Sequence, residues 1–338
     1  VATSGYSSTI DVLQNRADWP TVRRYAPEDP PPCGLDGDRA ALDHWINRLG
    51  PLETPEIEAI KAAMLDVDAV NTDRGGGSRR WLGIDGPPLV GKTHATAAAM
   101  LRVHDQLLDS PPPVRGKGVR AEHIPVVYVS VHGASSARLI ASIANFVDLP
   151  TTKTQRAQDT LTQLRNVLPL LGTRLIVVDD AHMLRRVGGA RDLTDNLKSI
   201  IDALPVSFIY AGAGLHDSAL LRRTDSADDG YSAAEQMAGR MRRLVLKRYD
   251  PTIAAEVRNW HRKLDLLIKR LETIPGFDST DVRSKEFGHR LFQLADGRTG
   301  RSLELLQDCT KRAVREGRSP QLSDLKWLEV IDTEGEVL

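Results

Sequence analysis

Residues 86–93 read Gly-Pro-Pro-Leu-Val-Gly-Lys-Thr, the spacing G-x-x-x-x-G-K-[ST]. No other stretch constrains the fold so tightly, because this loop works only between a strand and a helix. Gly86 and Gly91 let the backbone turn sharply, so that successive N–H groups converge on a polyphosphate. Lys92 brings a positive charge to the β- and γ-phosphates, and the Thr93 hydroxyl is a ligand for Mg2+. The helix that follows adds its positive end. The flanks comply. Trp81-Leu82-Gly83-Ile84-Asp85 is short and mostly apolar, as a buried parallel strand is. Residues 93–108 lack Gly and Pro and are rich in Ala, Met and Leu, which predicts a helix. The nucleotide-binding candidates are therefore Gly86, Pro87, Pro88, Leu89, Val90, Gly91, Lys92, Thr93 and His94.

A second strand tipped with acid is expected, and Arg174-Leu175-Ile176-Val177-Val178-Asp179-Asp180 provides it. Its continuous Leu/Ile/Val run suits a strand buried on both faces, with ligands bound beyond its carboxyl end. Asp179 is predicted to hold Mg2+, mainly through water. Asp180 is predicted to orient or deprotonate the attacking water. The implied cofactors are ATP and Mg2+.

Lys plus Arg and Asp plus Glu balance at 45 each, so there is no global basic signal for nucleic acid. Any DNA contact has to come from local clusters. Cys33 and Cys309 stand alone, without metal-ligand spacing, as in a reducing compartment. No apolar run approaches membrane-spanning length and no signal peptide is visible, which predicts a cytoplasmic protein without a membrane partner.

Residues 1–40 are rich in Ser, Thr, Pro and Asp and read as an extended or partly disordered arm. Trp19 and Tyr25 anchor it to a neighbour or pack on its own domain. Helices are expected at 38–49 and 55–70, then a glycine-rich joint at 74–78. From there strands (81–85, 124–131, 174–179, 206–211, 243–246) alternate with helices (93–108, 135–147, 154–168, 192–204, 233–239). This is a doubly wound α/β pattern with right-handed crossovers, taken to span residues 41–250. Turn residues at 111–113 and 116–118 mark a surface loop. After Pro251 strands vanish. Val257, Trp260, Leu264, Leu267, Ile268 and Leu271 recur at helical spacing, as do Leu303, Leu306, Cys309 and Ala313, which predicts the core of a helical subdomain over 251–338.

Asp179-Asp180-Ala181-His182 is close to the D-E-A-H box of helicases, and Gly297-Arg298-Thr299-Gly300-Arg301 to their arginine-rich last motif. A helicase core needs two α/β lobes, and the α/β pattern after Asp180 is too short for a second. The order of α/β lobe and then helical lid instead resembles an AAA+ ATPase. Within that class, residues from about 40 to 316 resemble the TniB/TnsC family of transposition ATPases, relatives of MuB. The stretches that carry this are Pro125–Val129 with Phe146–Pro150, Ile176–Leu184 followed by Asp195-Asn196-Leu197-Lys198, Phe208–Gly212, and Gln236-Met237-Ala238-Gly239-Arg240-Met241. The Asn-Leu-Lys helix and the Gln-x-Ala-x-Arg segment are the more particular ones.

The resemblance implies roles. Arg240 matches the arginine that reaches into a neighbour's ATP, with Arg243 as a second candidate, and Arg301 matches the lid arginine that senses the γ-phosphate. It implies self-assembly into rings or helical filaments on double-stranded DNA, and partnership with a transposase and a target-selector protein. The DNA-contacting loops would carry Arg138, Lys153 and Arg156, whose competing reading is ordinary helix-surface charge. Other classes fit the same motifs: an oligomerising signalling or defence ATPase, or a helicase-loader-like ATPase. There are departures from the family. The acid strand ends Asp-Asp where Asp-Glu is usual, which predicts slow hydrolysis. Gly212-Ala213-Gly214 stands where many AAA+ proteins place a polar sensor. Residues 217–232 form an acidic, Ser-rich insert without an assignment.

Overall fold

A computed structural model of the chain describes residues 13–19, 34–35, 37–49, 53–73, 78–110, 114–115, 119–120, 122–131, 135–152, 154–183, 190–215 and 233–334. Tyr25, residues 30–32, the joint at 74–77, the turn residues 111–113 and 116–118, Lys153 and the insert at 217–232 lie outside them. The chain forms two compact units. One takes the described residues of Val1–Val22, Pro55–Gly86 and Ala95–Leu246, the other those of Arg23–Thr54, Pro87–His94 and Lys247–Leu338. In chain order the helices are α1 (Arg39–Ile46), α2 (Pro55–Asp73), α3 (Lys92–Leu108), α4 (Ser136–Phe146), α5 (Ala157–Leu170), α6 (Ala190–Ala203), α7 (Ala233–Arg240), α8 (Ala254–Leu271), α9 (Lys285–Leu294), α10 (Thr299–Arg315) and α11 (Leu322–Glu334). The strands are β1 (Trp81–Asp85), β2 (Val114–Arg115), β3 (Val119–Arg120), β4 (Val126–Ser130), β5 (Leu175–Asp179), β6 (Ser207–Gly212) and β7 (Met241–Val245).

The first unit is built on a five-stranded sheet in the order β4-β5-β6-β1-β7, with every pairing parallel. β1 therefore has β6 on one side (Asp85 opposite Gly212) and β7 on the other (Asp85 opposite Val245). β1, β4, β5 and β6 are buried along their whole length, which is why they read as near-continuous apolar runs. β7 is the exposed edge, and it carries Arg242 and Arg243, charges that suit an edge strand. α2 begins at Pro55, where a missing N–H costs nothing. Its Asn71 side chain accepts the Arg80 N–H and donates to the Arg80 carbonyl (both 2.8 Å) and to Ser207 Oγ (3.0 Å), fixing the entrance of β1. β2 and β3 pair antiparallel as a small hairpin in the expected surface loop.

Two sequence expectations differ from the structure. The arm is not uniformly extended: residues 13–19 pack on the α/β unit. Trp19 is buried, its indole meets His104 (4.8 Å) and Phe146 (5.5 Å), and Arg16 pairs with Glu122 and Asp148. Of the two readings open for Trp19, packing on its own domain is the one seen. The other difference is α1, expected in the ATPase lobe. Its Leu42, Trp45 and Ile46 lie in the core of the second unit with Trp260, Leu264, Ile268, Phe287, Leu291 and Leu306. Gln307 also donates to the Ile46 carbonyl (2.9 Å). An apolar stripe shows that a helix packs, not which core it joins. Within this unit Trp260, Leu264, Leu267, Ile268 and Leu271 of α8 and Leu306 and Cys309 of α10 lie in the core as their spacing predicts, whereas Val257 stays outside it, Leu303 is half-buried, and Leu305 and Val314 complete the α10 face.

Candidate nucleotide site

The phosphate loop leaves β1 at its carboxyl end. Gly91 has φ of 93° and Leu89 φ of 62°, both left-handed, so the loop turns where the motif requires. Leu89 is not glycine and sits there against its preference. Residues 87–94 belong to the second unit, and α10 of that unit meets the loop at Leu89. The Arg301 N–H donates to the Leu89 carbonyl (3.2 Å), and a Cβ on Gly300 would lie 2.6 Å from that oxygen. Glycine at position 300 thus permits a close backbone approach. The Lys92 Nζ donates to the Pro87 carbonyl (2.6 Å). Thr93 is half-buried in the first turn of α3, and His94 beside it is exposed. The half-buried Arg301 guanidinium lies 3.5 Å from Glu304.

In the first unit the carboxyl end of β5 presents Asp179, which is buried. Its Oδ2 accepts the Tyr128 hydroxyl (2.9 Å) and its Oδ1 the Asp180 N–H (2.9 Å). Burial, and then the Asp179 carboxylate, hold the Tyr128 hydroxyl well above its ordinary pKa, so it stays a donor. Asp180 is half-buried with φ of 53°, a left-handed position that aspartate tolerates, and Ser130 Oγ stands 3.5 Å from its carboxylate. The sequence reading missed Tyr128. Its signal was a phenol in the middle of an apolar strand, since a buried O–H needs an acceptor.

β1 also ends in an acid that the sequence reading passed over. Asp85 is buried, accepts from Gly86 and Leu215, and pairs with Arg243 (3.1 Å). Arg243, expected to reach across an interface, is thus engaged within its own chain. Arg240 ends α7 and pairs with Asp202 of α6 (3.0 Å). Gln236 of α7 accepts from Lys198 of α6 (2.5 Å). Among the DNA-contact candidates, Arg138 is exposed in the first turn of α4 and Arg156 is the exposed N-cap of α5. Lys153 lies outside the described residues.

Among the described residues no helix is long and apolar enough to cross a membrane. Residues 77–216 match the AAA domain family, a span that includes the phosphate loop, the acid strand and β6. No curated protein matches the chain significantly. Solved structures do. The ORC1 protein of Aeropyrum pernix in complex with DNA is similar at TM-score 0.56 and 19% identity, over 85% of this chain and 68% of that one. The ORC2 protein of the same organism, solved as ADPNP–ADP complexes, gives 0.54 and 16%, over 81% and 68%. Cdc6p from Pyrobaculum aerophilum gives 0.51 and 16%, over 79% and 64%. At such identities the likeness is one of fold, and it agrees with the sheet order and the loop geometry: the chain has the P-loop α/β fold of the AAA+ ATPases.

Proposed function

We propose that this chain is an ATP-dependent, DNA-binding AAA+ regulator of DNA transposition, which oligomerises on double-stranded target DNA and recruits or activates a transposase. One observation carries the reading. The two stretches most particular to the resemblance, on α6 and α7, are joined by Lys198 with Gln236, and Asp202, one turn of α6 further on, pairs with Arg240. Similarity in either stretch alone is weak support. Paired residues from both make one device, which holds Arg240 at the end of α7.

The donor types suit Mg2+, which takes oxygen ligands and keeps several waters rather than filling an all-protein cage. Asp179 and Thr93 supply a carboxylate and a hydroxyl. When bound, the ion neutralises phosphate charge. In this reading Lys92 and the loop N–H groups hold the phosphates, and Tyr128 orients Asp179. Asp180 positions the attacking water from its left-handed backbone. Arg301 senses the γ-phosphate, and Arg240 stabilises the developing charge in a neighbouring copy's site. ATP acts chiefly as a switch, and slow hydrolysis disassembles the filament. Arg138, Lys153 and Arg156 track DNA phosphates without reading sequence.

Electron microscopy with an ATP analogue, with and without DNA, tests the assembly. DNA binding that needs ATP and weakens steeply with salt is expected, lost in Lys92→Ala. Assembly indifferent to DNA points instead to a signalling or defence ATPase. A helicase-loader-like ATPase is the other alternative, and a pull-down with transposase or helicase as bait separates the two. Arg240→Ala mixed with Lys92→Ala should recover part of the turnover if the arginine acts in trans. Mixed assemblies that recover none count against that role.

A further inference from the structure

Asp85 has no part in the mechanism above, yet its bonds converge where the phosphate loop begins. Its Oδ1 accepts the Gly86 N–H (2.7 Å) and the Leu215 N–H (3.1 Å). Its Oδ2 accepts from the Arg243 guanidinium (3.1 Å). Its main-chain carbonyl accepts the Leu246 N–H (2.8 Å). β1 lies between β6 and β7, Leu215 follows β6, and Leu246 follows β7. One residue thus ties three neighbouring strands together at the edge from which the loop departs.

A buried carboxylate beside a polyphosphate site is doubly costly, through lost hydration and like-charge repulsion. The sequence accommodates it in a specific way. Arg243 stands opposite Gly83 in the β1–β7 register and reaches along the sheet to Asp85, a diagonal cross-strand pair. Gly83 keeps that face low: a Cβ there would lie 2.7 Å from the Met241 sulfur. The end of β6 and the residues after it read Gly212-Ala213-Gly214 and have no polar side chain in those positions to meet the loop. The Leu215 N–H on Asp85 makes the connection through backbone instead.

We propose that Asp85 is a positioning residue for the phosphate loop. Its carboxylate, balanced by Arg243, sets the direction of the Gly86 N–H and locks the loop's first turn to the segment after β6. The proposal rests on the ATP-binding reading. It assigns Arg243 to its own chain's loop, where it acts through Asp85.

The test is nucleotide titration and steady-state turnover with ATP and Mg2+ for the wild type, Asp85→Asn, Arg243→Gln, the double variant and Lys92→Ala, with melting curves for each. Asparagine keeps an oxygen for the two N–H groups while removing the charge and the acceptor that meets Arg243, so it is a milder change than alanine. Each single variant is expected to bind nucleotide about tenfold more weakly, with the loss in KM more than in kcat. The double variant should be no weaker than the worse single, because the pair acts as one unit. Unchanged affinity in Asp85→Asn, with a lowered melting temperature, makes the pair structural only and overturns the proposal. Multiplicative losses, with Arg243→Gln losing kcat, place Arg243 at a separate point and overturn it as well. A drop in affinity in Lys92→Ala without one in Asp85→Asn sinks this proposal alone. A wild type that binds no nucleotide sinks the ATP-binding reading with it.

Discussion

Two parallel strands of the sheet, β1 and β5, each end in a buried aspartate whose Oδ1 accepts the N–H of the next residue, Gly86 at 2.7 Å and Asp180 at 2.9 Å. The second oxygen is treated differently. On β1 it faces the Arg243 guanidinium, and on β5 the Tyr128 hydroxyl. A guanidinium balances a carboxylate's charge and makes it part of the scaffold. A phenol orients a carboxylate and leaves its charge as it was, which suits a metal ligand. The same local geometry therefore serves two chemical duties, and the partner of the second oxygen separates them.

Substitutions at the two strand ends should give unlike results. Asp179→Asn should lower Mg2+-dependent turnover by about 10³-fold, since the metal is worth several kcal/mol in the transition state. Nucleotide binding without Mg2+ should change little. Asp85→Asn should do the reverse. If both variants lose turnover alike and bind nucleotide alike, the distinction between scaffold acid and ligand acid fails. Asp180→Asn should keep nucleotide binding and slow turnover by about 10²-fold, within the range for a group that positions or deprotonates a nucleophile. Such a variant should stay assembled on DNA. Wild-type turnover would remove Asp180 from the water-orienting role.

The partners can be separated in the same manner. Tyr128→Phe deletes a hydrogen bond to a charged group, a change of about 1.5–3 kcal/mol in a buried setting. It should raise the Mg2+ concentration needed for half-maximal turnover by about tenfold, with Mg2+-free nucleotide affinity nearly unchanged. Arg243→Gln should move nucleotide affinity and leave the Mg2+ requirement in place. A titration in which both variants shift the Mg2+ requirement equally would merge the two corners into one electrostatic site.

Much of this was legible in the sequence, and the limits have physical causes. The five sheet strands were readable because four are buried on both faces, so their composition is nearly pure apolar. The place of the phosphate loop after β1 and of Asp179 at the end of β5 was readable because a motif dictates residue type and spacing. Asp85 was not, since its partners Leu215 and Arg243 are 130 and 158 residues away and only the sheet order brings them together. Tyr128 and Asp179 are joined in the same way, through neighbouring strands. The close approach of Gly300 to Leu89 was hidden for a related reason. A glycine at the start of a helix reads as neutral until the backbone beside it is known. The Asp–Asp ending was readable as a departure that predicts slow hydrolysis, whereas the structure adds a left-handed Asp180. Backbone torsion of that kind has no signature in residue type alone.

A third carboxylate, on the helical unit, measures what an ion pair contributes when water surrounds it. Glu272 accepts from Arg283 at 2.6 and 2.9 Å, and Arg283 also meets Asp265 at 2.7 Å. The Arg283 hydrogen bond, helped by Ser279, holds the Glu272 carboxyl down at about 2, below its ordinary 4.5. The Asp265 carboxyl is held down too, by Lys269 and Arg283. A pKa depressed by folding adds stability above the unfolded value and loses it as pH falls toward the folded one. Arg283→Gln should therefore melt slightly below the wild type at pH 7, by about 2 °C or less, because exposed pairs are weak and screened by salt. The difference should shrink as pH drops from 4.5 toward about 2, where Glu272 is protonated with or without its arginine. It should shrink also at high salt. Arg243→Gln, which strips a buried carboxylate of its counter-charge, should give a larger and less salt-sensitive drop at pH 7. Melting curves for both variants over pH and salt decide this. A Glu272–Arg283 difference that grows on acidification, or equal salt sensitivity in the two variants, would remove burial as the reason the two pairs differ.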